Sequence, residues 1–168
     1  MNENNIEKIL DAFMSETPFS RTFILVGEKG SGKTAMLSNI SNELKKDESW
    51  MIVNLAPDCE DMVEASVYEI GKDAGMSVEN EEDFQYYNIS MLRMVLDIVK
   101  EKGKKVLFII DDIEASAELK SFVSWYQILL RESYPVFLLM AGTHKDVMDV
   151  QNGKTTTFLY RAVKVKLS

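Results

Sequence analysis

The stretch that most restricts this 168-residue chain is GEKGSGKT, Gly27 to Thr34. It follows an apolar run, TFILV, and precedes a segment in which Met36, Leu37, Ile40 and Leu44 recur at helical spacing. Gly27, Gly32, Lys33 and Thr34 satisfy G-x-x-x-x-G-K-[ST], and strand, turn and helix stand in the order that pattern needs. Glycines let successive N–H groups turn inward, and the following helix offers free N–H donors and a positive dipole end. The turn formed by Gly27, Glu28, Lys29, Gly30, Ser31, Gly32, Lys33 and Thr34 is therefore expected to cradle the phosphates of a nucleotide. Glu28 and Lys29 occupy variable positions, Lys33 would reach the β- and γ-phosphates, and the Thr34 hydroxyl would ligate Mg²⁺. The competing reading is a glycine-rich strand-to-helix turn that matches by chance.

Further apolar runs occur at WMIVNLA, VLFII and PVFLLMAG, as expected of strands covered on both faces. Helical patterns lie between them: about Asp61 to Lys72, about Asn88 to a stop near Gly103, and from about Ala117 until SYP. The acidic stretch SVENEEDFQ reads as a solvated loop. Val163, Val165 and Leu167 alternate with Lys164 and Lys166, the pattern of a half-exposed strand at a sheet edge. Alternating strands and helices imply βαβ units and an α/β fold, a three-layer α/β/α sandwich on a parallel sheet. The whole chain, with an N-terminal helix over about residues 1–18, is read as one unit.

Mg²⁺ on a phosphate chain needs a hard oxygen ligand opposite the cradle. The run Val106 to Ile110 ends in Asp111, which a parallel sheet would present at the same edge as the turn, making Asp111 the expected metal-side ligand. Asp112 follows, either as the general base that polarises an attacking water or as a helix cap; Glu114 is a weaker candidate. Thr143, just after FLLMAG, would hydrogen-bond the water or γ-phosphate, or simply cap a helix. The catalytic set is thus Lys33, Asp112 and Thr143, and the metal set Thr34 and Asp111.

Composition narrows the alternatives. A formal net charge of −8 argues against a broad nucleic-acid footprint for this segment alone. One cysteine, Cys59, and one histidine, His144, build neither a disulfide framework nor a Cys/His zinc site. The N-terminal stretch lacks a secretion-signal layout and no apolar run approaches membrane-span length, so a cytoplasmic location is expected.

Taken with their order, GEKGSGKT, LFIIDD and MAGT resemble the two nucleotide motifs and polar sensor of the AAA+ branch of P-loop ATPases. Within it the chain is similar to bacterial and archaeal ATP-binding proteins related to origin-recognition and signal-transducing (STAND) ATPases, in which a segment like FLYRAVKVKLS closes the core. The resemblance implies a five-stranded sheet in order 5-1-4-3-2, ATP with Mg²⁺ as ligand, and hydrolysis coupled to rearrangement or assembly. The alternative is a nucleotide-gated regulatory module with little hydrolysis. The family usually has Glu where Asp112 stands, which leaves the hydrolysis rate open. A helical lid, with its arginine, would normally follow, so the chain is expected to be the core of a longer protein with a protein partner or self-assembly. The short motif that usually contacts adenine is not recognisable upstream. Arg161 matches an arginine often seen at its place, facing a nucleotide or serving as an ordinary surface residue. THKD is not N-K-x-D, so guanine is disfavoured against adenine.

Overall fold

The computed structural model describes residues 2–76 and 89–168, with the side chain of Asn2 left aside. SVENEEDFQ, and the expected helix start at Asn88, lie outside the described residues. The strands are β1 Thr22–Val26, β2 Trp50–Leu55, β3 Lys105–Ile110, β4 Val136–Gly142 and β5 Val163–Lys166. The helices are α1 Asn2–Met14, α2 Lys33–Leu44, α3 Met62–Asp73, α4 Ile89–Glu101, α5 Ala117–Arg131 and α6 His144–Gln151, and a 3₁₀ helix, Thr157–Arg161, precedes β5. α1 is thus shorter than the expected span.

The sheet is parallel throughout, in the order β2-β3-β4-β1-β5, the expected order read from the other edge. β1 and β4 are buried along their whole length, which is why they read as unbroken apolar runs. Alternate residues of a strand point to opposite faces, so β3 divides between two cores. Leu107 and Ile109 pack with Ile9, Phe13, Ile40 and Leu44 of α1 and α2, whereas Val106, Phe108 and Ile110 pack with Val67, Leu96, Phe122 and Val123 of α3, α4 and α5. β5 is an edge strand as its alternation implied, with Val165 buried and Lys166 exposed.

Local signals place the helices. Asp61 caps α3 by accepting from Glu64 N–H at 2.8 Å, and Ser116 caps α5 by accepting from Leu119 N–H at 3.0 Å. Gly103, beyond α4, takes the left-handed φ of +66° that stops a helix. At the N-terminal edge of the sheet the fully buried Tyr126 joins α5 to β1. Its hydroxyl donates to Arg21 O at 3.0 Å and shares a 2.9 Å bond with Thr22 Oγ1, and burial pushes its pKa well above the ordinary phenol value. Among the described residues no helix is long and apolar enough to cross a membrane.

Candidate functional site

In a parallel sheet every strand delivers its C-terminal end to one edge, and here Val26 lies level with Gly142 while Ile110 ends level with Met140, two residues earlier on β4. The turn after β1, the residues after β3 and the start of α6 therefore meet. Gly30 and Gly32 have φ of +81° and +91°, a conformation that costs a side-chain-bearing residue about 1–2 kcal/mol. Gly27 is required for a different reason. A Cβ there would lie 2.4 Å from Ser31 Oγ and 3.0 Å from the Leu167 carbonyl, so the turn closes against the chain that continues β5. Gly32 is the N-cap of α2 and brings no side-chain acceptor, so no side chain claims the helix's first N–H donors or its positive end.

Lys33 is buried, and its ammonium donates to the carbonyl oxygens of Gly27 at 2.6 Å and Glu28 at 2.8 Å. The lysine thus lies over its own turn, where it satisfies carbonyls that would otherwise face a bound anion. Thr34 Oγ1 donates to Asp111 Oδ2 at 2.6 Å, and the Asp112 N–H donates to Asp111 Oδ1 at 2.8 Å. Both oxygens of Asp111 are held, one from the cradle side and one from its own chain. Asp112 is exposed with a φ of +50°, the left-handed region that Asp tolerates better than most residues.

Gly30, Gly32, Lys33, Thr34, Asp111 and Asp112 line one concavity of about 560 Å³, within the range of roughly 300–1,000 Å³ usual for small-ligand sites. Its donors are backbone N–H groups and an ammonium; its acceptors are hard oxygens. The hydroxyl of Thr34 and the carboxylate of Asp111 fit Mg²⁺, which takes few protein ligands and fills its octahedron with phosphate and water. No larger cluster of carboxylate, His or Cys ligands occurs among the described residues, so the pair is not part of an all-protein cage.

Thr143 stands at the same edge, after β4, but its side chain is engaged as the N-cap of α6. Its hydroxyl accepts from Asp146 N–H at 3.2 Å and donates to Asp146 Oδ2 at 2.5 Å. Glu28, Lys29 and Glu114 are exposed, and His144 is the exposed first residue of α6. Arg161 precedes β5 and is therefore at the N-terminal edge of the sheet, the edge opposite the cradle. Gly142 is a supporting residue that the sequence reading passed over. Its carbonyl accepts from Gly27 N–H at 3.2 Å, and a Cβ on it would come within 2.7 Å of Ile113. The available signal was a glycine closing an apolar strand, which marks close backbone approach.

Residues 20–150 match the AAA domain family. Among curated proteins none matches the sequence. Among solved structures the chain is similar to Cdc6p from Pyrobaculum aerophilum, with a TM-score of 0.66 and 16% identity over 99% of this chain and 45% of that one. It is also similar to the Aeropyrum pernix ORC1 protein in complex with DNA, with a TM-score of 0.69, 14% identity, and 99% and 44% coverage. The A. pernix ORC2 protein, in ADPNP–ADP complexes, gives 0.67, 15%, and 99% and 46%. At these identities the likeness is one of fold, and the chain spans less than half the length of each.

Proposed function

The chain belongs to the AAA domain family, and from that premise we propose that it is the Mg²⁺-dependent ATP-binding core of an ATPase, with slow hydrolysis that drives rearrangement or assembly of a longer protein. The observation that carries this reading is the Thr34–Asp111 hydrogen bond beside Lys33 in one concavity. The turn's N–H groups and the N-terminus of α2 bind the phosphate chain, and Lys33 leaves the Gly27 and Glu28 carbonyls to meet the β- and γ-phosphate oxygens. Thr34 and Asp111 hold the metal, which when bound neutralises charge developing on the phosphates. Asp112 accepts a proton from the attacking water, and Thr143 orients that water once its hydroxyl turns from Asp146. Positioning and charge neutralisation carry the chemistry, because phosphoryl transfer asks little covalent work of a protein.

A second reading, a nucleotide-gated module with little turnover, draws support from Lys33. Its ammonium has to exchange two carbonyl partners for phosphate oxygens, so occupancy rearranges the turn whether or not ATP is cleaved. Phosphate release by wild type and Asp112→Asn separates the two. A rate that falls in the variant while ATP binding persists supports hydrolysis; equal, near-zero rates with retained binding support the switch. Adenine preference rests on the family, and protein partners or self-assembly belong to the longer protein.

A further inference from the structure

The N-terminal edge of the sheet, away from the cradle, holds a second concavity of about 300 Å³ between α5, the start of β1 and the 3₁₀ helix. Ser20, Gln127, Leu130, Arg131, Phe158 and Arg161 are among its walls. Other cations of this edge have evident structural partners. Arg21 donates to Tyr134 O at 3.2 Å and lies over the Phe137 ring, and Lys164 donates to Leu159 O at 2.8 Å with its ammonium partly buried. Arg131 and Arg161 differ: both are exposed, and neither has an ion pair or side-chain hydrogen bond among the described residues. Arg131 stands in the last turn of α5 and Arg161 in the last turn of the 3₁₀ helix, where each complements a negative helix end through its position while leaving its guanidinium exposed. Two guanidiniums with no partner among the described residues thus stand beside one pocket, in a chain whose net charge is −8.

We propose that this pocket is a second ligand site, for a small phosphate monoester carried on an apolar body. A phosphate monoester brings a charge of about −1.5 to −2 at neutral pH, which two guanidiniums match and a single carboxylate does not. Guanidinium forks bind phosphate oxygens in pairs, and Ser20 and Gln127 add neutral polar groups at the rim. The apolar side is formed by half-buried Phe158 and Leu130. Since β1 spans five residues, about 15 Å of strand separates the two sites, so both can be filled at once.

The test uses phenyl phosphate as the probe and backbone amide NMR of the full chain as the readout, on wild type and Lys33→Ala. Saturable shifts are expected at Gln127, Phe158 and Ala162 in both proteins, with benzoate and inorganic phosphate binding more weakly. Arg131→Gln and Arg161→Gln should each weaken binding by about tenfold while leaving the dispersed spectrum intact. Shifts confined to Gly27–Thr34, no shifts at the pocket amides, or pocket shifts that neither substitution weakens would overturn the assignment. Because Lys33→Ala weakens the cradle and leaves this pocket untouched, failure here is distinct from failure of the proposed nucleotide site.

Discussion

Thr34 Oγ1 and Asp111 Oδ2 stand 2.6 Å apart, although 77 positions separate the two residues along the chain. The contact joins the first residues of α2 to the end of β3. Hydroxyl and carboxylate therefore present hard oxygens to one point, the condition for a shared cation. Thr34→Ala and Asp111→Asn are expected to weaken ATP binding in the presence of Mg²⁺ and to change it little in EDTA, as calorimetric titration would show. Thr34→Ser, which keeps the hydroxyl, should behave like wild type.

The turn's glycines make separable predictions. Gly27→Ala places a Cβ against Ser31 Oγ and the Leu167 carbonyl, and overpacking of this kind typically costs about 1–3 kcal/mol. Gly30→Ala meets nothing within 4 Å but is forced into a left-handed conformation, at about 1–2 kcal/mol. Thermal denaturation should show a loss in both. Gly30→Asn should recover part of its loss because Asn tolerates that conformation, whereas Gly27→Asn should not improve on Gly27→Ala.

Much of this edge was legible because its signals are local. GEKGSGKT lies between two periodic segments, and the run ending at Asp111 announces a buried strand with a carboxylate at its tip. Contacts between distant segments were not legible. Gly27 is needed because Leu167 returns beside it, and no property of the turn alone says so. Lys33 hydrogen-bonds carbonyls of its own turn, and the motif specifies only the residue, not its resting partners. α6 carries an N-cap signal at Thr143 but only eight residues, too short for its apolar period to separate it from a loop.

Thr143 allows its two expected roles to be separated. Thr143→Ala removes the acceptor for Asp146 N–H and should cost about 1 kcal/mol of stability, which Thr143→Ser should restore. If the hydroxyl also orients the attacking water, Thr143→Ala lowers steady-state phosphate release by more than its loss of folded protein explains. Release that tracks only the folded fraction assigns Thr143 to the cap.

Tyr126 governs behaviour at high pH. Burial raises its pKa, so the folded state keeps its proton while an unfolded chain loses it near pH 10. The unfolded state then binds fewer protons, and stability falls as pH rises above about 10. Chemical denaturation across that range should show the decline in wild type and a shallower one in Tyr126→Phe. At neutral pH the same variant should lose about 1–2 kcal/mol, since Arg21 O and Thr22 Oγ1 lose their partner.

The most direct measurement is titration of ATP into wild type and Lys33→Ala, each with and without Mg²⁺. Binding should be tightest to wild type with the metal and weaken by about 30- to 100-fold when the ammonium is removed, the scale expected for loss of a charged hydrogen bond. An affinity that is the same in all four titrations would contradict the proposed site.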